Sequence, residues 1–296
     1  MNKLIACMNL LALIITLICP AAVLAAAASP SASPPDFTAK LDLAMVGEAD
    51  VGGGGGFSAM TGRLDLDYKG FSFQYQRNSY QWSDLGQLPF GNGQDDPWES
   101  LQKVGISYTH RGAISDNMDY MAMAGVSSTF EEEMEDSYNV QGMMTATYRL
   151  TPLWRVSFGL AARYHKVETT LLPIAGISYN LATPQGLFAS LGFPVTVVGY
   201  RFKHGWSLNW GALEFNNNYY RLADDSTVRP RGFLETRDLI SSFWVAYQPR
   251  KNIKLEAGIH YLFNRELNTY DQEGENEQDH DVDNAWGGFL RVRLEF

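Results

Sequence analysis

The chain closes on Trp286-Gly287-Gly288-Phe289-Leu290-Arg291-Val292-Arg293-Leu294-Glu295-Phe296. Trp286, Gly288, Leu290, Val292, Leu294 and Phe296 fall in one phase, and Gly287, Phe289, Arg291, Arg293 and Glu295 in the other. Successive side chains of a β-strand point to opposite faces, so this stretch reads as a strand with one apolar and one largely charged face.

The same split recurs upstream. Trp154, Val156, Phe158, Leu160, Ala162 and Tyr164 oppose Arg155, Ser157, Gly159, Ala161, Arg163 and His165. Ile253, Leu255, Ala257, Ile259, Tyr261 and Phe263 oppose Lys254, Glu256, Gly258 and His260. Leu64, Leu66 and Tyr68 oppose Arg63, Asp65 and Asp67. Soluble sandwiches also alternate, so the period alone does not decide. Strand length does more: the runs extend about ten residues or beyond, enough to cross a bilayer at a tilt. Connections alternate between short (Lys69-Gly70, Thr151 to Leu153, Arg250 to Asn252) and long (Ser83 to Ser100, Glu131 to Ser137, Ala223 to Gly232, Tyr270 to Asn284). Tyr68, Tyr108, Tyr148, Tyr179, Tyr200 and Tyr247 stand beside the short turns on the apolar face, where an amphipathic ring suits a membrane interface.

These features predict an all-β chain: a single antiparallel up-and-down transmembrane β-barrel over residues 37–296, of about fourteen strands. Twelve is the alternative, because the pair flanking Pro194 is short. The phase of Trp206 to Leu222 slips, which predicts a bulge near Gly211-Ala212. Closure is required in lipid, where an unpaired backbone edge costs several kcal/mol per group.

The N-terminus has another logic. Lys3 is the only charge before Asp36, an apolar run leads from Leu10 to Ile18, and Ala25 to Ala28 follow Pro20. This predicts a cleavable signal peptide over 1–26 and a Pro/Ser-rich periplasmic tether over 27–36, hence export to the bacterial outer membrane. Cys7 and Cys19 both lie in the signal, so the mature chain has no disulfide, thiolate catalyst or cysteine-bound metal. Removing Lys3 from the 23 basic residues leaves 22 against 33 acidic ones, a net charge of −11. That balance excludes a nucleic-acid partner, which needs a basic face. No cofactor is expected; outer-membrane lipid and lipopolysaccharide are the expected surroundings.

The terminal strand, with Leu290, Val292, Leu294 and Phe296 at alternate positions, resembles the signal by which outer-membrane proteins are recognised by the barrel-assembly machinery. The stretch Leu172-Pro173-Ile174-Ala175-Gly176-Ile177-Ser178-Tyr179, with Leu191-Gly192-Phe193-Pro194 and Val198-Gly199-Tyr200, resembles a family of uncharacterised proteobacterial outer-membrane barrels. The resemblance implies location and a partner in assembly, and lends no activity.

The inward phase carries the candidate functional residues: Arg63, Asp65, Asp67, Arg155, Arg163, His165, Arg201, Lys254, Glu256, His260, Arg291, Arg293 and Glu295, with Lys40, Asp42, Lys103 and Asp119. Mixed charge suits an aqueous lumen that selects solutes, or an ion-pair network that fills the barrel. A passive channel for small solutes is the first expectation, and a structural or surface-interaction barrel the second. A lipid-modifying enzyme would need His165 or His260 within reach of a serine. Ala161 is expected among polar, acidic neighbours. Asp271, Glu273, Glu275, Glu277, Asp279, Asp281 and Asp283 alternate; fully extended, they would line one face as a weak candidate for a hard cation, against a solvated external loop. Gly52 to Gly56 reads as a flexible loop.

Overall fold

The computed structural model describes residues 36–296; the expected signal peptide and all but the last residue of the expected tether lie outside the described residues. Fifteen strands follow one another: β1 (Phe37–Asp50), β2 (Gly56–Tyr68), β3 (Phe71–Ser83), β4 (Ser100–Ser115), β5 (Met118–Phe130), β6 (Tyr138–Arg149), β7 (Trp154–Tyr164), β8 (Thr169–Tyr179), β9 (Gly186–Phe193), β10 (Thr196–Arg201), β11 (Trp206–Arg221), β12 (Phe233–Arg250), β13 (Ile253–Tyr270), β14 (Gln278–Val282) and β15 (Ala285–Glu295). Each wall strand pairs antiparallel with the next, and β15 pairs with both β13 and β1, so fourteen strands close into an up-and-down barrel. β14 is a short ribbon laid along the outer end of β13. Closure is sealed at the chain terminus: the Phe37 N–H donates to Phe296 O at 3.2 Å and the Phe296 N–H to Phe37 O at 2.9 Å.

The alternation sets the outer surface. Leu41, Leu43, Met45, Phe158, Leu160, Ile259 and Leu290 are exposed on the outside of the wall. Rings pair beside the short turns: Phe71 with Tyr108 at 4.8 Å, Trp154 with Tyr179 at 4.8 Å and Trp206 with Tyr247 at 4.3 Å. An apolar band edged by aromatics is the outside of an outer-membrane-type barrel. The register of β11 against β12 shifts between Gly211 and Glu214, where the phase slip predicts a bulge.

Two departures from a simple cylinder shape the interior. The first is an apolar cap at the long-loop end. Phe57, Trp98, Leu101, Tyr220, Leu222, Leu234, Leu267 and Val282 form a buried cluster inside the wall, with Phe90 and Trp98 delivered by the β3–β4 loop. The Gly52–Gly56 run belongs to this packing. A Cβ on Gly54 would stand 2.1 Å from the Gln87 carbonyl oxygen, and one on Gly55 2.4 Å from that of Asp84. The run is therefore a turn against which another backbone is laid, and glycine is there for close approach.

The second departure is that the outer half of β11, still paired with β12, parts from β10 and turns toward β5. Arg221 makes a parallel bridge to Phe130 of β5, and the Glu131 N–H donates to Arg221 O at 2.9 Å. β5 and β11 are not neighbours in the ladder, so this contact is a chord across the mouth. The tip joining β7 to β8 packs on the outward side of the displaced sheet, with Val167 against Tyr219, Phe233 and Tyr270.

Candidate functional site: the lumen

Beneath the cap lies an internal cavity of about 350 Å³. Its wall takes Asp42 from β1, Arg63 from β2, Gln76 and Asn78 from β3, Ser127 from β5, Gln141 from β6, Arg163 from β7, His260 from β13 and Arg291 from β15. β11 adds Glu214 and the run Asn216, Asn217 and Asn218. The charge-based reading of the sequence missed the uncharged members. Their signal was the polar phase of β3, β6 and β11, which carries Asn, Gln, Ser and Thr where other strands carry ions.

Toward the short turns the inner face becomes an ion-pair ladder. Arg291 reaches Asp42 at 2.6 Å and Glu256 at 3.0 Å; Lys254 reaches Glu256 at 2.7 Å. Lys40 sits between Asp42 at 2.9 Å and Asp65 at 3.6 Å, Arg63 holds Asp65 at 2.9 Å, and Arg293 holds Glu295 at 2.8 Å. The strand register places opposite charges abreast, with Asp42 between Arg63 and Arg291, and Lys40 beside Asp65. The row Glu256, Arg291, Asp42 and Arg63 therefore alternates in sign from β13 through β15 and β1 to β2, whereas the adjacent row Lys254, Arg293, Lys40 and Asp65 sets three cations abreast. Asp67 accepts from the Ser72 hydroxyl. Arg149 binds Asp119 at 2.9 Å and pairs in register with Arg155. Arg201 donates to the Asn180 and Thr183 carbonyl oxygens at 3.1 Å and lies over the Phe188 ring.

Three expectations change. His165 lies just past the end of β7, stacked on Tyr219 at 4.8 Å and edge-on to Phe233 at 5.3 Å, so it seals the tip instead of facing the cavity. Burial, with Arg163 and Lys166 adding to it, lowers its pKa to about 3 and keeps it neutral; its Nδ1 accepts from the Val167 N–H at 3.1 Å. His260 Nε2 bonds the Met45 carbonyl oxygen at 3.1 Å, and neither histidine hydrogen-bonds a serine among the described residues. Ala161 packs against Met121, Met143 and Ile174, an apolar patch of the inner face rather than an acidic one.

The acidic run does not extend as one strand. Asp271 caps a turn by accepting from the Glu273 and Glu275 N–H groups, which hold its carboxyl below the usual range, and only Gln278–Val282 is extended. The seven acids thus do not line one face, and no cluster among the described residues has the makings of a metal site.

A buried polar seam lies where β11 to β13 meet the β7–β8 tip. Glu235 is fully buried and accepts from Asn217 Nδ2 at 2.8 Å, Arg237 Nε at 2.8 Å and Asn268 Nδ2 at 3.1 Å, and it shares the single proton of the Tyr270 hydroxyl, 2.9 Å away, with Glu277 at 2.6 Å. Tyr219 OH donates to Glu168 at 2.7 Å, tying the tip to β11. At the chord, burial and the nearby Glu132, Glu133 and Asp225 raise Glu131 to about 7, against the Ala223 N–H that donates to it at 2.8 Å.

No protein-family model matches the chain, and no characterised protein matches it in sequence. Among solved structures it is similar to the KdgM porin at 8% identity and a TM-score of 0.37, over 87% of this chain and 99% of that one. It is similar to an outer membrane channel from Pseudomonas putida F1 at 10% identity and 0.41, over 90% and 99%, and to the Ralstonia pickettii toluene transporter TbuX at 10% and 0.40, over 90% of each chain. Likeness at this identity concerns the fold alone.

Proposed function

We propose that the protein is a passive transport barrel of the bacterial outer membrane, which holds a small solute in its lumen and does not stand open as a water-filled pore. One observation carries this reading: a cavity of about 350 Å³ beneath an apolar cap, lined by charged and amide side chains together with apolar ones. A barrel with a purely structural role gains nothing from such empty volume, because packing its interior would be more stabilising. The cap narrows the direct path to the long-loop side, so unselective diffusion is not its task. The apolar outer band and its aromatic edges support the membrane location, and the ion-pair ladder supports a passage that screens solutes by charge.

Flux of glycine into vesicles carrying the purified barrel tests this. The account expects protein-dependent uptake that falls when Gln141→Trp fills the cavity. Absence of uptake by a properly folded barrel, or uptake indifferent to Gln141→Trp, favours a structural or surface role.

A further inference from the structure

The bulge in β11 decides what the cavity offers a solute. Gly211 pairs with Ser242 and Glu214 with Ile240, so three steps along β11 match two along β12. The extra residue turns Glu214 to the inner face, where plain alternation from Gly211 would have aimed it at lipid. Asn216 and Asn218 follow in the same inward phase. Gly211 itself makes room for a ring. A Cβ there would stand 3.2 Å from the indole of Trp244, which lines the cavity together with Phe289, 6.4 Å away between ring centres.

Four carboxylates line the cavity, those of Asp42, Glu214, Asp238 and Glu266. Asp42 is held by Lys40 at 2.9 Å and Arg291 at 2.6 Å, Asp238 by Arg265 at 3.0 Å and the Asn216 amide at 3.2 Å, and Glu266 by Arg237 at 3.2 Å. Glu214 is partly buried and makes no hydrogen bond or ion pair among the described residues. Arg63 and Arg291, which share the cavity with it, are engaged by Asp65 and by Asp42 and Glu256. A half-buried carboxylate without a partner is costly, and a cation beside it offsets that cost. The mouth points to the same sign of charge. The long connections 84–99, 131–137, 222–232 and 271–284 carry 18 acidic residues and two basic ones, Arg229 and Arg231. A surface of one sign concentrates counter-ions at the entrance and speeds their association.

We infer that the solute of the cavity is a small organic ammonium ion, held at its charged end by Glu214, with its body against Ile240, Trp244 and Phe289. An ammonium ion suits both parts of this lining, because it forms a charge-assisted hydrogen bond to a carboxylate and is attracted to the face of an indole. A hard metal ion is a poorer match, since it takes about six oxygen ligands and only one of the four lining carboxylates is uncommitted. This inference rests on reading the cavity as a solute site.

The test uses the mature barrel in lipid nanodiscs and calorimetric titration at neutral pH with n-butylammonium, 1-butanol and butyrate, which match in size and differ in charge. Protein-free nanodiscs supply the background. Saturable binding of the ammonium ion is expected, at least about tenfold tighter than binding of the alcohol or the acid, and at least about tenfold weaker in Glu214→Gln. Equal affinity for butylammonium and butanol in the unaltered protein, or tighter binding of butyrate, overturns the inference without recourse to a variant. Retained affinity in a folded Glu214→Gln does so as well. Replacing the seven acids of 271–283 by their amides should slow association of butylammonium at low salt at least about threefold, and an unchanged rate overturns the part given to the mouth. Binding is read without transmembrane flux. A barrel that takes up glycine but binds butylammonium no better than butanol overturns this inference alone; one that binds butylammonium through Glu214 but passes no glycine supports it and overturns the transport reading.

Discussion

Glu235 is a carboxylate with no solvent contact, and three nitrogen donors with a shared tyrosine hydroxyl make that tolerable. Removing one partner of such a set is worse than never burying it, because the remaining groups keep their desolvation cost. Glu235→Ala should therefore cost about 3–5 kcal/mol, and Glu235→Gln, which keeps an acceptor, about 1–3 kcal/mol, both read from the urea midpoint of the folded, heat-modifiable gel band. Equal costs would mean that shape and not charge holds the seam. The same scale tests the phase of the wall. Leu160 is exposed on the lipid side, and Leu160→Arg should cost about 2–4 kcal/mol near mid-bilayer. Gln76→Lys, on the cavity side, should cost no more than about 1 kcal/mol. Period-2 alternation made this phase legible in the sequence, because only one face of each strand is apolar. It failed at Ala161 and His165, where inward positions are packed on apolar partners; a pattern of polarity along one strand does not say what a distant strand brings against it.

Among elements, the chord between β5 and β11 is the place where pH should act. Glu131 lies beside Glu132, Glu133 and Asp225, while Arg221 pairs with Glu133 and Asp224. A carboxyl raised to about 7 in the fold is disfavoured once the unfolded chain ionises, so its contribution is fully present below about 4.5 and is lost as pH rises to about 7. Hydrogen exchange at the Ala223 and Glu131 amides should quicken across that window, and Glu131→Gln should flatten the response. β15 makes a separate prediction. Phe296 closes the ladder against Phe37, and β15 carries the resemblance to an assembly signal. Deleting Phe296, or Leu294→Asp, should leave the chain in the periplasm when cells are fractionated; normal outer-membrane levels of both would refute a role for this strand in assembly. The order of strands was legible because turns, tyrosines and phase agree, and even the bulge at Gly211 left a slip in phase. That the β9–β10 hairpin fills only half of the wall was not legible as such. Pro173, Pro194 and the short hairpin between β8 and β11 marked it, but those signs equally suited a barrel with two fewer strands. Only pairing tells a missing ladder from a missing pair of strands.

For the whole molecule, the barrel followed from the chain's alternation, whereas the cap did not. Phe57, Leu101, Leu234 and Leu267 face inward although apolar, against the rule that serves the rest of the wall, because loop residues Phe90 and Trp98 meet them inside. Loops carry no period, so their docking left no trace in the pattern. The central claim is a solvent-filled cavity kept from the outside by this cap. Single-channel conductance in a planar bilayer tests it most directly, on the unaltered barrel and on one in which residues 86–98 are replaced by a short Gly/Ser linker. The account predicts low conductance for the unaltered protein and a large, steady increase once the cap is removed. No conductance from a folded, uncapped barrel, or full conductance with the cap in place, would contradict it.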